Sequence, residues 1–171
     1  MGITTALSEV HSVRVRRVHD YWNTLRGERF APGRAEIDPA ELSDLLPSLL
    51  IVDIEAEPFR VRYRLVGTLV VEVSGFDFTG HYLDELEFVS GDGEFQEAYY
   101  VVWKEQVPVY ARPYWPFDTE RKTCYDLGIF PLSDDGENVT RALAVEGYEE
   151  IENNPHVQQR SYGWRHRRSL I

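Results

Sequence analysis

Apolar residues recur at helical spacing in the first part of the chain. Over residues 7–26 they fall every three or four positions, which predicts an amphipathic helix that ends before Gly27. A second, short helix is expected after Asp38, because Asp is a favourable N-cap and Pro39 suits the first helical position. Pro47 should end that helix after about two turns.

Five later runs have the composition and alternation of β-strands. In the second run, Val61, Tyr63 and Leu65 alternate with three arginines, which predicts a strand with one face in contact with water. Sequences of turn composition, such as the Ser-Asp-Asp-Gly sequence at 133–136, separate the runs. The predicted strands are residues 49–55, 60–66, 107–117, 122–131 and 139–148.

The segment between the second and third predicted strands has a helical pattern. Residues 92–106 place Tyr99, Val102 and Trp103 on one stripe, which predicts a helix. Glycines break residues 67–86 into short helical turns and a tight loop at 76–80. Because alternating strands need an apolar cover, the order of elements predicts an α+β fold. Its five-stranded antiparallel sheet is covered on one face by helices, with an extra N-terminal helix.

Length and composition fit one globular domain. The chain has 171 residues, of which 43% are hydrophobic and 27% charged, which is enough for a single buried core. The net charge of -11 argues against nucleic-acid binding, because phosphate groups are bound by positive surfaces. We therefore expect no nucleic-acid partner.

Basic residues cluster at the two ends of this acidic chain. The N-terminal cluster lies within the predicted helix, and the C-terminal cluster comprises Arg165, Arg167 and Arg168. These ends are either solvated termini or interaction tails. The chain divides into an N-terminal amphipathic helix (1–27), a central domain (28–150) and a basic tail that we expect to be partly disordered (151–171).

Cysteine content and hydropathy predict a cytoplasmic protein with no integral membrane association. The lone Cys124 cannot form an internal disulfide, and the first twenty residues hold no apolar leader. The most apolar run, residues 45–54, is too short to span a bilayer.

No pattern of catalytic or metal-binding residues stands out. Acidic pairs such as Asp134-Asp135 are adjacent, so a strand would point them to opposite faces. The five histidines lack the spacing of a metal site, and no nucleophile elbow or phosphate-binding loop is present. We therefore expect a non-enzymatic protein with no metal, no cofactor and no catalytic residues.

Aromatic side chains are the more informative set. Several of them, including Tyr99, Trp103 and Tyr110, could line a cavity, because ligand pockets are mostly apolar with a few polar groups. The same residues could also form an ordinary core. Strand alternation places Tyr114 and Trp115 on opposite sides, so the aromatic residues cannot all line one cavity.

Six short sequences carry a resemblance to a known family. In order they are Tyr21-Trp22 with Leu25-Arg26-Gly27, Ile37-Asp38-Pro39, Leu46-Pro47 before Val52-Asp53-Ile54, Tyr63-Arg64-Leu65-Val66-Gly67-Thr68, Gly75-Phe76-Asp77-Phe78-Thr79-Gly80 with Leu83-Asp84, and Pro131-Leu132-Ser133-Asp134-Asp135-Gly136. By their order and spacing, residues 18–148 resemble a bacterial family of small stand-alone PAS-like proteins. The resemblance implies a sheet in the strand order 2-1-5-4-3, a ligand-sized cavity beneath the middle helices and a sensory or regulatory role.

The function implied is that of a non-enzymatic sensory module that binds a small organic ligand and signals through protein–protein contacts. Haem and flavin are not expected, because the helix at 92–106 holds no histidine and Cys124 lies in a predicted strand. By position in the resembled fold and by chemistry, the ligand-binding residues are Tyr63, Phe78, Leu83, Tyr99, Trp103, Tyr110, Arg112 and Tyr125.

The N-terminal helix is the candidate output surface, because such helices pair with a second copy or with a partner domain. We expect a homodimer through Val10, Val18, Tyr21, Trp22 and Leu25. The alternative is a ligand-free interaction scaffold or adaptor. In that case the helix and the basic tail at 165–168 would recruit an acidic protein or an anionic membrane surface.

Overall fold

The computed structural model describes residues 2–86, 93–114 and 124–152. Its centre is one antiparallel sheet of six strands in the order β1-β4-β5-β6-β2-β3. The strands are Ile3–Thr4 (β1), Leu49–Ala56 (β2), Phe59–Val66 (β3), Val109–Ala111 (β4), Asp126–Leu132 (β5) and Arg141–Gly147 (β6). The basic cluster of Arg165, Arg167 and Arg168 lies outside the described residues.

The strand order is the one that the resemblance implies. Without β1, the order across the sheet is β4-β5-β6-β2-β3. When these five strands are renumbered 1 to 5 along the chain, starting with β2, and the sheet is read from the β3 edge, the order is 2-1-5-4-3. The α+β fold and the order of its five predicted strands are therefore confirmed. The sixth strand, β1, was not predicted; its Ile3 and Thr4 pair with Ala111 and Tyr110 of β4.

The N-terminal helix, α1 (Val13–Arg26), begins six residues later than predicted. Ser12 is its N-cap, and the Ser12 hydroxyl accepts a hydrogen bond from the backbone N–H of Val15 (3.2 Å). Leu7–Glu9 forms a separate short 3₁₀ helix. The other α-helices are Thr68–Ser74 (α2), Glu94–Glu105 (α3) and Glu149–Glu152 (α4). In the described ranges, no helix has the length and apolar character needed to cross a membrane.

The helix predicted after Asp38 is absent from the described structure, and that prediction is wrong. Residues 39–45 form turns, and a 3₁₀ helix follows at Leu46–Ser48. The Asp38 carboxylate accepts a hydrogen bond from the Ala40 N–H (2.8 Å), which closes a local turn in place of a helical cap. Leu42 and Leu45 are buried, so this segment fills the core without being helical.

Both faces of the sheet are covered, whereas the sequence pattern predicts a cover on one face. Along β2, alternate residues point to opposite faces. Leu50, Val52 and Ile54 belong to the core between the sheet and α3, here called the α3-side core. Leu49 and Ile51 belong to the core between the sheet and α1, here called the α1-side core. The apolar face of α1 thus supplies the second cover.

The helix face expected at a dimer interface is buried within the chain itself. All five residues expected there pack in the α1-side core: Val10, Val18 and Trp22 with almost no exposed surface, and Tyr21 and Leu25 in part. The indole Nε1 of Trp22 also donates a hydrogen bond to the carbonyl of Pro131 in β5 (2.8 Å). These residues are therefore not available to a second chain while α1 is docked, and the homodimer stays a prediction without an assigned surface.

Candidate functional site

A carboxyl group lies inside the α3-side core. Glu146 belongs to β6, where Ala142 and Ala144 point to this core, and the two-residue repeat of a strand directs Glu146 to the same side. Only 9% of the Glu146 surface is exposed. The hydroxyl of Tyr148 donates a hydrogen bond to Glu146 Oε2. An ionisable group is thus held among side chains that are mostly apolar.

Four tyrosines surround this carboxyl group. Tyr63 comes from β3 and Tyr99 from α3, Tyr125 immediately precedes β5, Tyr148 immediately follows β6, and all four are buried. The rings of Tyr125 and Tyr148 lie 5.1 Å apart. Elements that are distant in the chain therefore bring four phenols together around Glu146; we call this set the Glu146–tyrosine cluster.

Burial is the main electrostatic effect in the cluster. It raises the pKa of Glu146 to about 8, and no cation of the described residues acts on that group. Burial also raises the pKa of Tyr63, Tyr99 and Tyr125, and negative charge on Glu146 adds to each of these shifts. At neutral pH the carboxyl group is therefore mainly protonated, and these three phenols are uncharged.

The cluster combines hydrogen-bonding groups with apolar walls. Carboxyl and phenol groups can both donate and accept hydrogen bonds. Phe78 meets Tyr63 edge-on with ring centres 4.6 Å apart, and Leu83 adds aliphatic surface in the same core. A few polar groups within apolar surroundings are the usual composition of a small-molecule site.

Most of the predicted ligand-binding residues lie together in this region. Tyr63, Phe78, Leu83, Tyr99 and Tyr125 belong to the α3-side core, and Trp103 is partly buried at its edge. The fold brings these residues close to one another as the resemblance implies. Their role in binding a ligand stays a prediction.

Tyr110 and Arg112 lie on the opposite face, so their predicted place in the same cavity is wrong. The two residues flank Ala111, and the alternation along β4 directs Ala111 to the α3-side core and its neighbours to the α1 side. The Tyr110 hydroxyl hydrogen-bonds with Nδ1 of His19 (2.6 Å). Arg112 pairs with Asp126 (3.2 Å), which also accepts two backbone N–H hydrogen bonds just before α1. Both residues therefore help to dock the N-terminal segment.

Glu146 and Tyr148 are the functional candidates that the sequence analysis missed. A usable signal was present, because positions 142, 144, 146 and 148 share one strand face and the first two are alanines. An acid within such an apolar face marks either a buried ion pair or a binding site. With 29 acidic residues in the chain, one more glutamate did not stand out.

A concave region lies on the protein surface, and it does not include the residues of the Glu146–tyrosine cluster. This cleft has a volume of about 710 Å³ and is lined by the segments 29–36 and 133–136 and by Arg141. Several of its charges are already paired, with Arg29 2.8 Å from Glu36 and Arg141 2.6 Å from Asp134. A charged ligand would have to compete with these pairs, which makes the cleft the weaker candidate.

Metal ligands do not converge anywhere in the described parts of the chain. Over residues 2–86, 93–114 and 124–152, no group of three or more His, Cys, Asp or Glu side chains is placed to hold a metal ion. Cys124 is half-buried and pairs with Tyr114 in an isolated β-bridge.

One family profile matches most of the chain. Among curated proteins, none matches the sequence. One solved structure that aligns with the chain is the "Structure of an RNA-binding Light-Oxygen-Voltage Receptor", with 13% sequence identity and a TM-score of 0.45. The alignment covers 82% of this chain, which spans 42% of the length of that protein. The family profile described as "PAS domain" matches residues 10–145, and the chain therefore belongs to the PAS domain family.

Proposed function

We propose that this protein is a sensory module that binds a small organic ligand in the α3-side core and signals through protein–protein contacts. Membership of the PAS domain family supports the sensory role in general. The ligand-binding part rests on one observation, the carboxyl group of Glu146 held with four tyrosines inside an apolar core.

A carboxyl group at this position is expected to weaken the fold. Burying a polar group costs free energy unless its hydrogen bonds are satisfied, and burying a charge costs more. Among the described residues, Tyr148 is the one hydrogen-bond donor to Glu146, whereas an aliphatic side chain would fill the space without the desolvation cost. Groups with such perturbed ionisation are concentrated at functional sites. This supports ligand recognition as the role of Glu146.

The remaining exposure of the cluster supports access for a ligand. Glu146 and Tyr125 expose 9% and 8% of their surfaces, whereas Ala144 and Ile129 in the neighbouring part of the sheet expose none. Two residues of the cluster therefore keep a small exposed surface. A ligand that covers it would also satisfy the hydrogen-bonding groups there.

Native and denaturing mass spectra of the freshly purified full chain test the proposal. We expect an additional non-covalent mass per chain in the native spectrum that the denatured spectrum lacks. Tyr99→Phe removes a hydroxyl from the cluster and should weaken retention of that mass. Tyr110→Phe removes a hydroxyl on the α1 side and serves as the matched control, which should retain it.

The same spectra separate this proposal from its alternative. Bare chain masses in the wild type and in both variants would contradict ligand binding and favour the ligand-free interaction scaffold. The native spectra also count the chains in the assembly, which tests the predicted homodimer.

A further inference from the structure

Among the described residues, no basic side chain lies beside the carboxyl group of the proposed site. Within the same described residues, Glu146 is the only acidic or basic side chain other than the tyrosines that is buried in the α3-side core. The arginines on the other side of the sheet are engaged with acids there, as Arg141 is with Asp53 (3.2 Å) and Arg112 with Asp126 (3.2 Å). A ligand that enters this core therefore meets a carboxyl group that has no cation of residues 2–86, 93–114 or 124–152 beside it.

The tyrosines favour a positively charged ligand for a separate reason. Aromatic rings present negative faces, which attract ammonium groups most strongly where water is excluded. Tyr63, Tyr99, Tyr125 and Tyr148 provide four such rings around Glu146, and their hydroxyl oxygens can accept N–H hydrogen bonds. A carboxyl group with several tyrosine rings has the composition of an aromatic site for organic cations.

We infer that the ligand of the α3-side core is a protonated organic amine that pairs with Glu146 and lies against the tyrosine rings. The inference rests on the proposed function, because it names the ligand class of the same site. An anionic ligand would find no basic side chain among the described residues of this core, and any ionisation of Glu146 would oppose its binding. An uncharged ligand would leave Glu146 protonated and would form no ion pair with it.

Binding an ammonium ion at this site should release a proton. The free site holds a protonated Glu146, whereas the complex holds its carboxylate against the ammonium group, so one proton passes to the solvent for each amine bound. The affinity should therefore rise by up to about tenfold per pH unit as the pH increases towards 8. Tyr63, Tyr99 and Tyr125 face Glu146 from β3, from α3 and from the start of β5, and their raised pKa values keep them uncharged in this range.

Calorimetric titration of the full chain tests this inference with matched probes. Benzylammonium is compared with uncharged benzyl alcohol and with anionic benzoate, and choline is compared with its uncharged carbon isostere dimethylbutanol. We expect the two cations to bind, and the alcohols and benzoate to bind about tenfold more weakly or not at all. Raising the pH from about 6 to about 7.5 should tighten binding of the cations only.

Two variants assign the effect to Glu146. Glu146→Gln keeps the size of the side chain and a hydrogen-bond acceptor for Tyr148 but cannot become a carboxylate, so cation affinity should fall about tenfold or more. Glu137→Gln makes the same chemical change at an exposed position and should bind like the wild type. The pH dependence of cation binding by the wild type also reports the ionisation of Glu146. The test therefore does not require Glu146→Gln to fold normally.

The possible results distinguish this inference from the proposed function. Equal binding of charged and uncharged probes, unaffected by Glu146→Gln, would overturn the amine assignment and leave ligand binding intact. If none of the probes binds, the compound seen in the native mass spectrum decides: an amine supports the inference, and an uncharged or anionic compound overturns it. If no probe binds and no bound compound is found, the inference and the proposed function both fail.

Discussion

Glu146→Gln should change how the free energy of unfolding depends on pH. The pKa of Glu146 is raised to about 8 in the folded protein by burial, from an ordinary value of 4.5 that the unfolded chain should restore. Glutamine has nearly the same shape and no titration in this range. The comparison of wild type with variant therefore isolates the protonation of one buried group.

The sign and size of the effect follow from proton linkage. Below both pKa values, Glu146 is protonated in the folded and in the unfolded protein, and its contribution does not change with pH. Between about pH 4.5 and about pH 8 the folded protein holds the proton that the unfolded chain has lost, so stability falls as the pH rises. The slope is about 1.4 kcal/mol per pH unit, which makes about 2.7 kcal/mol over two units.

Urea denaturation of both proteins at about pH 5.5, 6.5 and 7.5, followed by tryptophan fluorescence, measures this difference. We expect the stability of Glu146→Gln relative to wild type to increase with each step in pH. His19, whose pKa is lowered by burial, has the opposite influence, because its unfolded form binds a proton more readily as the pH falls. That contribution is present in both proteins and cancels in the difference.

Parallel stability curves would refute the reasoning. If the wild type and Glu146→Gln kept a constant difference across this range, Glu146 would titrate alike in the folded and the unfolded chain. The carboxyl group would then be solvated or paired in the folded protein, and the case for an isolated buried acid would be lost. A steeper decline in the variant than in the wild type would contradict the sign of the argument as well.

Three further predictions concern the framework of the site. Trp22→Phe removes the indole donor to the Pro131 carbonyl and should cost about 2 kcal/mol in urea denaturation, whereas unchanged stability would show that the bond contributes little. Gly67→Ala places a Cβ 2.3 Å from the Pro47 carbonyl oxygen, and because backbone cannot move aside easily, thermal unfolding should show a loss of about 1–3 kcal/mol or more. The pKa of His19, measured by NMR, should lie below the ordinary histidine value, and a raised value would contradict its burial beside the sheet.

Local periodicity was sufficient for most of the architecture. Residues 60–66 alternate between apolar and basic side chains, and β3 forms at Phe59–Val66. The apolar stripe at 92–106 corresponds to α3 at Glu94–Glu105. Such patterns are visible in sequence because each element must present one apolar side to a core, wherever that core lies. The element order, the fold class and the family resemblance all depend on this local information.

The tertiary structure decided which core each side chain enters. Tyr99 and Tyr110 look equivalent in the sequence, yet Tyr99 lies in the α3-side core and Tyr110 in the α1-side core. The apolar face of α1 could have met a second chain as readily as its own sheet, because periodicity shows that a face is apolar and does not show what covers it. The long-range contacts of Trp22 with β5 settle that choice.

The candidate site also depends on tertiary contacts that the local sequence pattern does not show. The run at 139–148 predicts a strand, and β6 forms at Arg141–Gly147, but an acid in a strand is ordinary when its face meets water. Glu146 becomes unusual only because α3 and the neighbouring strands exclude water from it and bring Tyr63 and Tyr99 nearby. Local sequence determines the direction in which Glu146 points, whereas its pKa depends on segments far away in the chain, since desolvation is the sum of all the atoms that surround the group.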